Sequence, residues 1–151
     1  MTKVEIKAAT LEDARIVAMS LRAPDEVEVH LLTGKPAVEA VEQSLVVSAV
    51  SFVGYIDDEP VAVLGLAHLN EDVGVPWMLG TPSLDKSARH WLKVADTLVD
   101  AMQEMYPLLT NIVHNKNTKS IRWLKRLGFE FTDTPVPGHP DFIQFVRYRN
   151  V

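Results

Sequence analysis

The sequence predicts an α/β or α+β domain in which helices cover both faces of a mixed sheet of about six or seven strands. Three observations lead to this fold class. The chain has 151 residues, the usual length of one domain, so we assign residues 1–151 to a single domain. Hydrophobic residues make up 47% of the chain, enough for a substantial core. Strand-like and helical segments are interleaved around a central hairpin, in the order β-α-α-α-β-β-β-α-β-α-β-β.

The first third of the chain predicts one strand and three helices. Residues 3–8 alternate charged and apolar side chains, which is the pattern of a half-buried strand. Thr10 is a suitable N-cap for the first helix, and Asp13 stands three residues later, where a capping box places an acid. Pro24 fits the first turn of a second helix. A third helical pattern follows the break at residues 34–36.

The middle of the chain predicts a hairpin followed by a further strand. Residues 51–56 and 61–69 are rich in β-branched and apolar side chains, and the acidic turn at residues 57–60 separates them. Residues 75–79 have the same character and predict the next strand. The Gly-Thr-Pro sequence at residues 80–82 ends it.

The last third continues the alternation. Residues 84 to about 105 carry apolar side chains on one face and predict the longest helix. Residues 109–113 predict a short buried strand, and either Asn117 or Thr118 caps the helix that follows. Two further strands complete the sheet, at residues 129–131 and 142–149.

The composition excludes several classes of protein. The chain has no cysteine, which excludes a disulfide framework, a thiolate zinc site and a catalytic cysteine. None of the five histidines stands four residues from another, so we predict no metal site. No apolar run approaches 18 residues, and the N-terminus carries no apolar signal core. The sequence therefore predicts a soluble, cytoplasmic protein with no membrane partner.

The net charge of −5 conceals an uneven distribution. Residues 1–72 carry 13 acidic and five basic side chains, whereas residues 73–151 carry seven and ten. The acidic half is suited to a cationic partner and the basic half to an anion; the alternative is that both are solvated helix faces. Residues 114–126 hold five basic and no acidic side chains but no motif that reads bases, so we predict no nucleic-acid partner.

A more specific pattern begins at Asn117. Residues 117–129 read NTKSIRWLKRLGF, which resembles the last conserved motif of the GNAT superfamily of N-acetyltransferases. The segments VEIKAATLEDARIVAMSL and SFVGYIDDEPVAVLGLAHL resemble the first strand and helix and the central hairpin of that superfamily, in the right order. The chain is also similar to the GNAT-like proteins of tailed phages, one branch of which is an internal virion protein. The segments that carry this similarity are PWMLGT, YPLL and the motif at 117–129.

The resemblance implies an acyl-CoA site between two parallel strands that splay apart, residues 75–79 and 109–113. Backbone groups at the end of the first strand would pair with the pantetheine amides. The start of the next helix would bind the pyrophosphate, because free N–H groups and the helix dipole favour an anion there. The implied cofactor contacts are Leu79, Gly80, Ser83, Ser87, Arg89, Asn117 and Ser120. For Asn117 the alternative is helix capping alone, and for Ser120 it is packing alone.

Two positions depart from the superfamily pattern. Asp85 stands where the pyrophosphate loop has a basic residue, and the loop contains no glycine. A carboxylate beside a pyrophosphate is repulsive. Leu124 stands where many members carry the tyrosine that protonates the leaving thiolate. His114 follows the strand beside the acyl site and is our candidate replacement; Tyr55 and His139 are alternatives.

Acetyl transfer to an amine also needs a base, since the amine arrives protonated. The candidates are Asp25 and Glu28, which lie three apart on one helix face, and Glu71 and Asp72 in the turn before the strand at 75–79, of which we favour Glu71. Glu28, Asp25, Glu71 and His114 are therefore the predicted catalytic residues. The alternative for each carboxylate is a solvated acidic surface.

The resemblance predicts an N-acetyltransferase that moves an acetyl group from acetyl-CoA to a small-molecule or protein amine by direct attack. The competing hypothesis is a phage protein of the same fold with a degraded cofactor site, which acts as a virion accessory or host-interaction module. Its partner would be a virion or host protein, and its location the host cytoplasm or the virion. Both hypotheses allow a homodimer.

Overall fold

The computed structural model describes residues 2–150, and the secondary structure follows the predicted order. In chain order the elements are β1 (Val4–Ala8), α1 (Leu11–Ala18), α2 (Ala23–Thr33), α3 (Ala37–Val47), β2 (Ser48–Ile56), β3 (Glu59–His68), β4 (Val73–Gly80), α4 (Pro82–Lys86), α5 (Ala88–Met105), β5 (Leu108–His114), α6 (Thr118–Arg126), β6 (Glu130–Phe131) and β7 (Phe142–Tyr148). The strands form one mixed sheet in the order β1-β2-β3-β4-β5-β7-β6. The predicted fold class is confirmed.

The one element that the sequence misjudged is the long helix. We predicted a single helix from residue 84 to about 105, but the structure has two, α4 and α5, separated at Ser87. Pro82 starts α4 early because its fixed φ suits the first helical turn. Ser87 then leaves helical geometry, with φ −124° and ψ 28°. A break of one residue preserves the apolar periodicity, so the sequence pattern does not reveal it.

The predicted caps are present. The Thr10 side chain accepts a hydrogen bond from the Asp13 backbone N–H at 3.2 Å. Asn117, rather than Thr118, caps α6 and accepts from the Ser120 N–H at 3.4 Å. The Asp13 carboxylate, predicted as part of a capping box, accepts a hydrogen bond from the Tyr55 hydroxyl on β2.

Helices cover both faces of the sheet. On one face, α5 contributes Trp91 and Ala95 to a core cluster with Ala62 and Leu64 of β3. On the other, α1 and α3 pack against β2 and β3 in a cluster that includes Val63. Because β3 is covered on both sides, its residues 61–66 are all buried. No helix within residues 2–150 combines the length and apolar character that a membrane span requires.

The close packing of α5 on the sheet depends on a glycine of β2. A Cβ built on Gly54 would lie less than 3.0 Å from the Trp91 ring, which is itself 1% exposed. We expect Gly54→Ala to lower the free energy of unfolding by about 1–3 kcal/mol, because a methyl group there overpacks the core. Urea unfolding measures the loss. In a Trp91→Leu background, which opens the space, the same substitution should cost less; equal losses in both backgrounds would argue against the contact.

Candidate active site

The sheet opens between β4 and β5. These two strands are parallel and pair at Val73 with Leu108 and at Gly74 with Leu109, after which the ladder ends. A cavity of about 260 Å³ lies in the opening beyond these pairs, bounded by both strands, by α5 and α6 on one face and by α2 on the other. Most of its lining is apolar, including Met78, Leu98 and Leu124. The opening is therefore a cleft that can take an elongated molecule between the two strands.

The edge of β4 that faces this opening has few free hydrogen-bonding groups. Thr81 N–H donates to Val61 O of β3 at 2.9 Å, and the alternation of an antiparallel ladder places Leu79 on that same side. Pro76, Met78 and Gly80 then face the opening. Pro76 has no N–H, and its carbonyl accepts from the Asn111 side chain at 2.8 Å. Met78 is thus the residue whose backbone offers both a donor and an acceptor to a bound molecule.

The end of β4 is paired with the start of α2. Arg22 N–H donates to Gly80 O at 2.8 Å, and Gly80 N–H donates to the Asp25 carboxylate at 2.8 Å. Leu79 and Gly80 were predicted to bind pantetheine through their backbones. In the structure, the backbone N–H and C=O of Leu79 point towards β3. The N–H and C=O of Gly80 are already hydrogen-bonded, to Asp25 and Arg22. Pantetheine binding by these two residues stays a prediction, and at Gly80 it would require exchange of the present partners.

A buried ion cluster lies beside this pairing. Arg22, which is 2% exposed, donates twice to Asp25, at 3.1 and 2.9 Å, and once to Asp85 at 2.9 Å. It also donates to the Ser120 hydroxyl at 3.2 Å. Burial lowers the pKa of Arg22, but the hydrogen bonds and charges of Asp25 and Asp85 outweigh this and hold it above its ordinary value. Arg22 is therefore a fixed positive charge inside the protein.

Two further contacts complete the cluster. The Arg22 guanidinium lies over the Trp123 ring, 4.9 Å from its centroid. Lys119 Nζ lies 3.3 Å from the Asp85 carboxylate, so two cations share that acid. Asp25, Ser120 and Trp123 also line the cavity, which places the cluster at one end of the opening.

Glu28 lies one helical turn beyond Asp25 and reaches the other strand. Its carboxylate accepts from His114 N–H of β5 at 2.9 Å and from the Asn117 side chain at 3.0 Å. Burial raises the pKa of Glu28 above its usual range, although these two hydrogen bonds oppose the shift. Asp25 and Glu28 together make α2 a bridge from the end of β4 to the end of β5. Both side chains line the cavity.

The structure therefore brings together five of the residues predicted for the site: Asp25, Glu28, Gly80, Asn117 and Ser120. His114 contacts this group through its backbone N–H, which donates to Glu28. Its ring packs edge-on against Phe142, and its Nδ1 accepts from the Lys116 N–H. The catalytic and cofactor roles of all these residues remain predictions.

Other candidates lie elsewhere. Glu71 is exposed in the turn that precedes β4, at the opposite end of that strand from Gly80. Arg89 lines a separate surface hollow of about 480 Å³ with Lys93 and Arg126. Tyr55 lies two strands from β4, and burial with its Asp13 hydrogen bond raises its pKa to about 12. These positions make Glu71 and Tyr55 weaker candidates than Glu28 and His114.

Two residues of the site were missed by the sequence interpretation. Arg22 was read only as part of a helix break, although an arginine three residues before Asp25 is a local signal for an ion pair. Asn111 lies within the buried strand β5, where a lone amide among apolar residues indicates a specific partner. Within residues 2–150, no group of three or more acidic or histidine side chains could hold a metal ion.

A parallel strand pair that opens around a cleft, in a sheet of this order, defines the GNAT acetyltransferase fold that the sequence resembles. Solved structures confirm that fold. An acetyltransferase from Streptococcus agalactiae has a TM-score of 0.70 at 14% identity, covering 97% of this chain and 98% of that chain. A GNAT family acetyltransferase from Elizabethkingia anophelis with acetyl-CoA bound has a TM-score of 0.64 at 15% identity, covering 97% and 98%.

An aminoglycoside acetyltransferase in complex with coenzyme A is also similar, with a TM-score of 0.67 at 15% identity, covering 97% of this chain and 95% of that chain. Neither a protein-family model nor a curated protein matches the sequence. At these identities the similarity establishes the fold of the chain.

Proposed function

We propose that this protein is an acetyl-CoA-dependent N-acetyltransferase that acts by direct attack of an amine on the thioester. The observation that carries the proposal is the opening between β4 and β5, whose cavity of about 260 Å³ is lined in part by Glu28. A largely apolar cleft with one perturbed acid is the usual form of a small-molecule active site. The solved structures of the same fold with acetyl-CoA or coenzyme A bound support this choice.

The residues present fit an acyl-CoA in part. Met78 offers a backbone donor and acceptor in the opening, and Asn117 and Ser120 lie at its edge. The Thr81 hydroxyl, directly after Gly80, is buried and lacks a hydrogen-bond partner within the described residues, so an unsatisfied donor lies near the end of β4. The Asp85 carboxylate, at the end of the cleft where the resemblance expects the pyrophosphate, opposes a phosphate.

Acetyl-CoA supplies an activated acetyl thioester. Glu28 is placed to accept a proton from the acceptor's ammonium group, directly or through water, and burial brings its pKa closer to neutrality. The freed amine attacks the acetyl carbonyl; the carbon–nitrogen bond forms and the carbon–sulfur bond breaks. The remaining excess proton of the nitrogen passes through water to the leaving thiolate, which departs as the free thiol. Leu124 supplies no proton. The Glu28 carboxylate favours a cationic acceptor, either a small molecule or a protein amine.

Titration with acetyl-CoA tests the proposal, with coenzyme A and ATP as controls. We expect calorimetry to show a dissociation constant in the micromolar range. Ala95 of α5 lines the cavity, so Ala95→Phe should fill it and weaken acetyl-CoA binding about ten-fold or more. Ala101→Phe is the matched control, because Ala101 lies exposed on the same helix. Equal affinities for the two variants would place binding outside the cavity.

A second candidate is a non-catalytic protein of the same fold. The specific observation in its favour is the internal use of Gly80, Arg22 and Asp85 at the end of β4, where the resemblance expects pantetheine and pyrophosphate. The resemblance to tailed-phage proteins makes a virion or host protein the partner in that case. No heat of binding up to millimolar acetyl-CoA, together with no thermal shift, would favour this candidate over the enzyme.

A further inference from the structure

Asp85 differs from the other acid of the buried ion cluster in how firmly it is held. The Asp25 side chain is 3% exposed, accepts two hydrogen bonds from Arg22 and accepts a third from Gly80 N–H. Asp85 is 30% exposed and has one contact with Arg22 and one with Lys119. Asp25 is therefore held firmly in the fold. The Asp85 side chain, in contrast, can move away from Arg22, because Arg22 then still keeps Asp25 as a buried carboxylate partner.

Removal of the Asp85 side chain would leave a set of donors pointing at the vacated position. Arg22 Nη1 lies 2.9 Å and Lys119 Nζ 3.3 Å from its carboxylate oxygens. The Ser120 hydroxyl lies 3.2 Å from Arg22 Nη2 and stands beside Lys119 in the first turn of α6. Two cations that meet at one carboxylate, with a hydroxyl bonded to one of them, match the oxygens of a phosphate ester.

A second, independent observation lies at the same end of β4. Thr81 is 7% exposed, and its hydroxyl has no hydrogen-bond partner within the described residues. Thr81 is the N-cap of α4, the helix that carries Asp85, yet its side chain makes no capping bond. A buried hydroxyl that its own helix does not use leaves an unsatisfied donor at this end of β4.

We propose that Arg22, Lys119 and Ser120 form a diphosphate site and that Asp85 occupies it in the free protein as an internal substitute for the phosphate. The proposal rests on the proposed function, because the ligand it assigns is the diphosphate of acyl-CoA at the mouth of the same cavity. Binding exchanges the Asp85 carboxylate for a phosphate oxygen and releases Asp85 to solvent. Asp85 then sets the affinity of the site for its cofactor.

Asp85→Asn tests the exchange, because the amide keeps the shape and removes the charge. We expect it to bind inorganic pyrophosphate and acetyl-CoA about ten-fold more tightly than the wild type in calorimetry. Asp100→Asn is the matched control: Asp100 also pairs with an arginine, Arg147, but on the exposed surface. Adding Lys119→Met to Asp85→Asn should abolish the gain. Unchanged or weaker binding by Asp85→Asn would overturn the proposal.

A measurement on the wild-type protein covers the case in which Asp85→Asn does not fold. Carbodiimide coupling to an amine, read by mass spectrometry, should label Asp85 more strongly when acetyl-CoA is bound, because the carboxylate is released. Equal or weaker labelling would contradict the exchange.

The outcomes separate this inference from the proposed function. If the wild type binds acetyl-CoA and Asp85→Asn binds no better, the inference fails and the function stands. If Asp85→Asn binds pyrophosphate and acetyl-CoA but the wild type binds neither, the diphosphate site is supported and the proposal that the wild type is an acetyl-CoA-dependent enzyme fails. If neither protein binds either ligand, both proposals fail.

Discussion

Arg22→Ala is expected to lower the free energy of unfolding by about 3–5 kcal/mol, because it leaves the buried Asp25 carboxylate without its cation. Asp25 is 2% exposed, so water does not replace the lost partner. Arg22→Lys should recover only part of the loss, since an ammonium group cannot reproduce the two-bond pair with Asp25 and also reach Asp85. Urea unfolding monitored by circular dichroism gives the values.

A surface ion pair provides the comparison for that experiment. Arg15 pairs with Glu42 at 2.7 Å, but the two side chains are 49% and 36% exposed. Arg15→Ala should therefore cost less than about 1 kcal/mol. Similar losses for Arg22→Ala and Arg15→Ala would show that the buried cluster contributes no more to stability than an exposed pair.

The largest expected effect on activity belongs to Glu28. With the acceptor found by a screen of amines, Glu28→Gln should reduce kcat by about 10²–10⁴-fold, because it removes the proposed base. Glutamine keeps the acceptor oxygen for His114 N–H and the Asn117 amide, so the fold and the affinity for acetyl-CoA should be unchanged. Glu26→Gln is the matched control, because Glu26 lies exposed on the same helix.

The pH dependence gives this prediction a second readout. A base acts only when it is ionised, so kcat should rise as the pH passes upward through the pKa of Glu28. Burial places that pKa above 4.5, the ordinary value of a glutamate. The rise should be absent in Glu28→Gln. A variant that keeps the wild-type kcat and pH profile would exclude Glu28 as the base.

The sequence predicted well wherever the physical signal is local. The caps at Thr10 and Asn117 follow from side chains that reach N–H groups three residues away. The order of strands and helices follows from periodicity, and the residue motif at 117–129 correctly indicated the fold. The break at Ser87 was missed because one non-helical residue leaves the apolar pattern of α5 in phase.

The site was predictable in part for the same reason. Asp25 and Glu28 were expected on one helix face, since their spacing of three residues requires it. Their hydrogen bonds to Gly80 and His114 were not foreseen, because a helix pattern does not show which strand ends the helix crosses. Glu71 looked equally suitable as a base until strand register placed it at the far end of β4.

By itself, the sequence determined the elements of this protein apart from the break at Ser87, together with their order, their caps and the resemblance to an acetyltransferase fold, because the signals for these lie within short segments of the chain. Tertiary structure alone decided the chemistry at the opening of the sheet. Arg22 meets Asp85 across 63 positions, and Glu28 meets Asn117 across 89. These residues come into contact because α2 packs across the ends of β4 and β5, and no pattern within a short segment of the sequence predicts that packing.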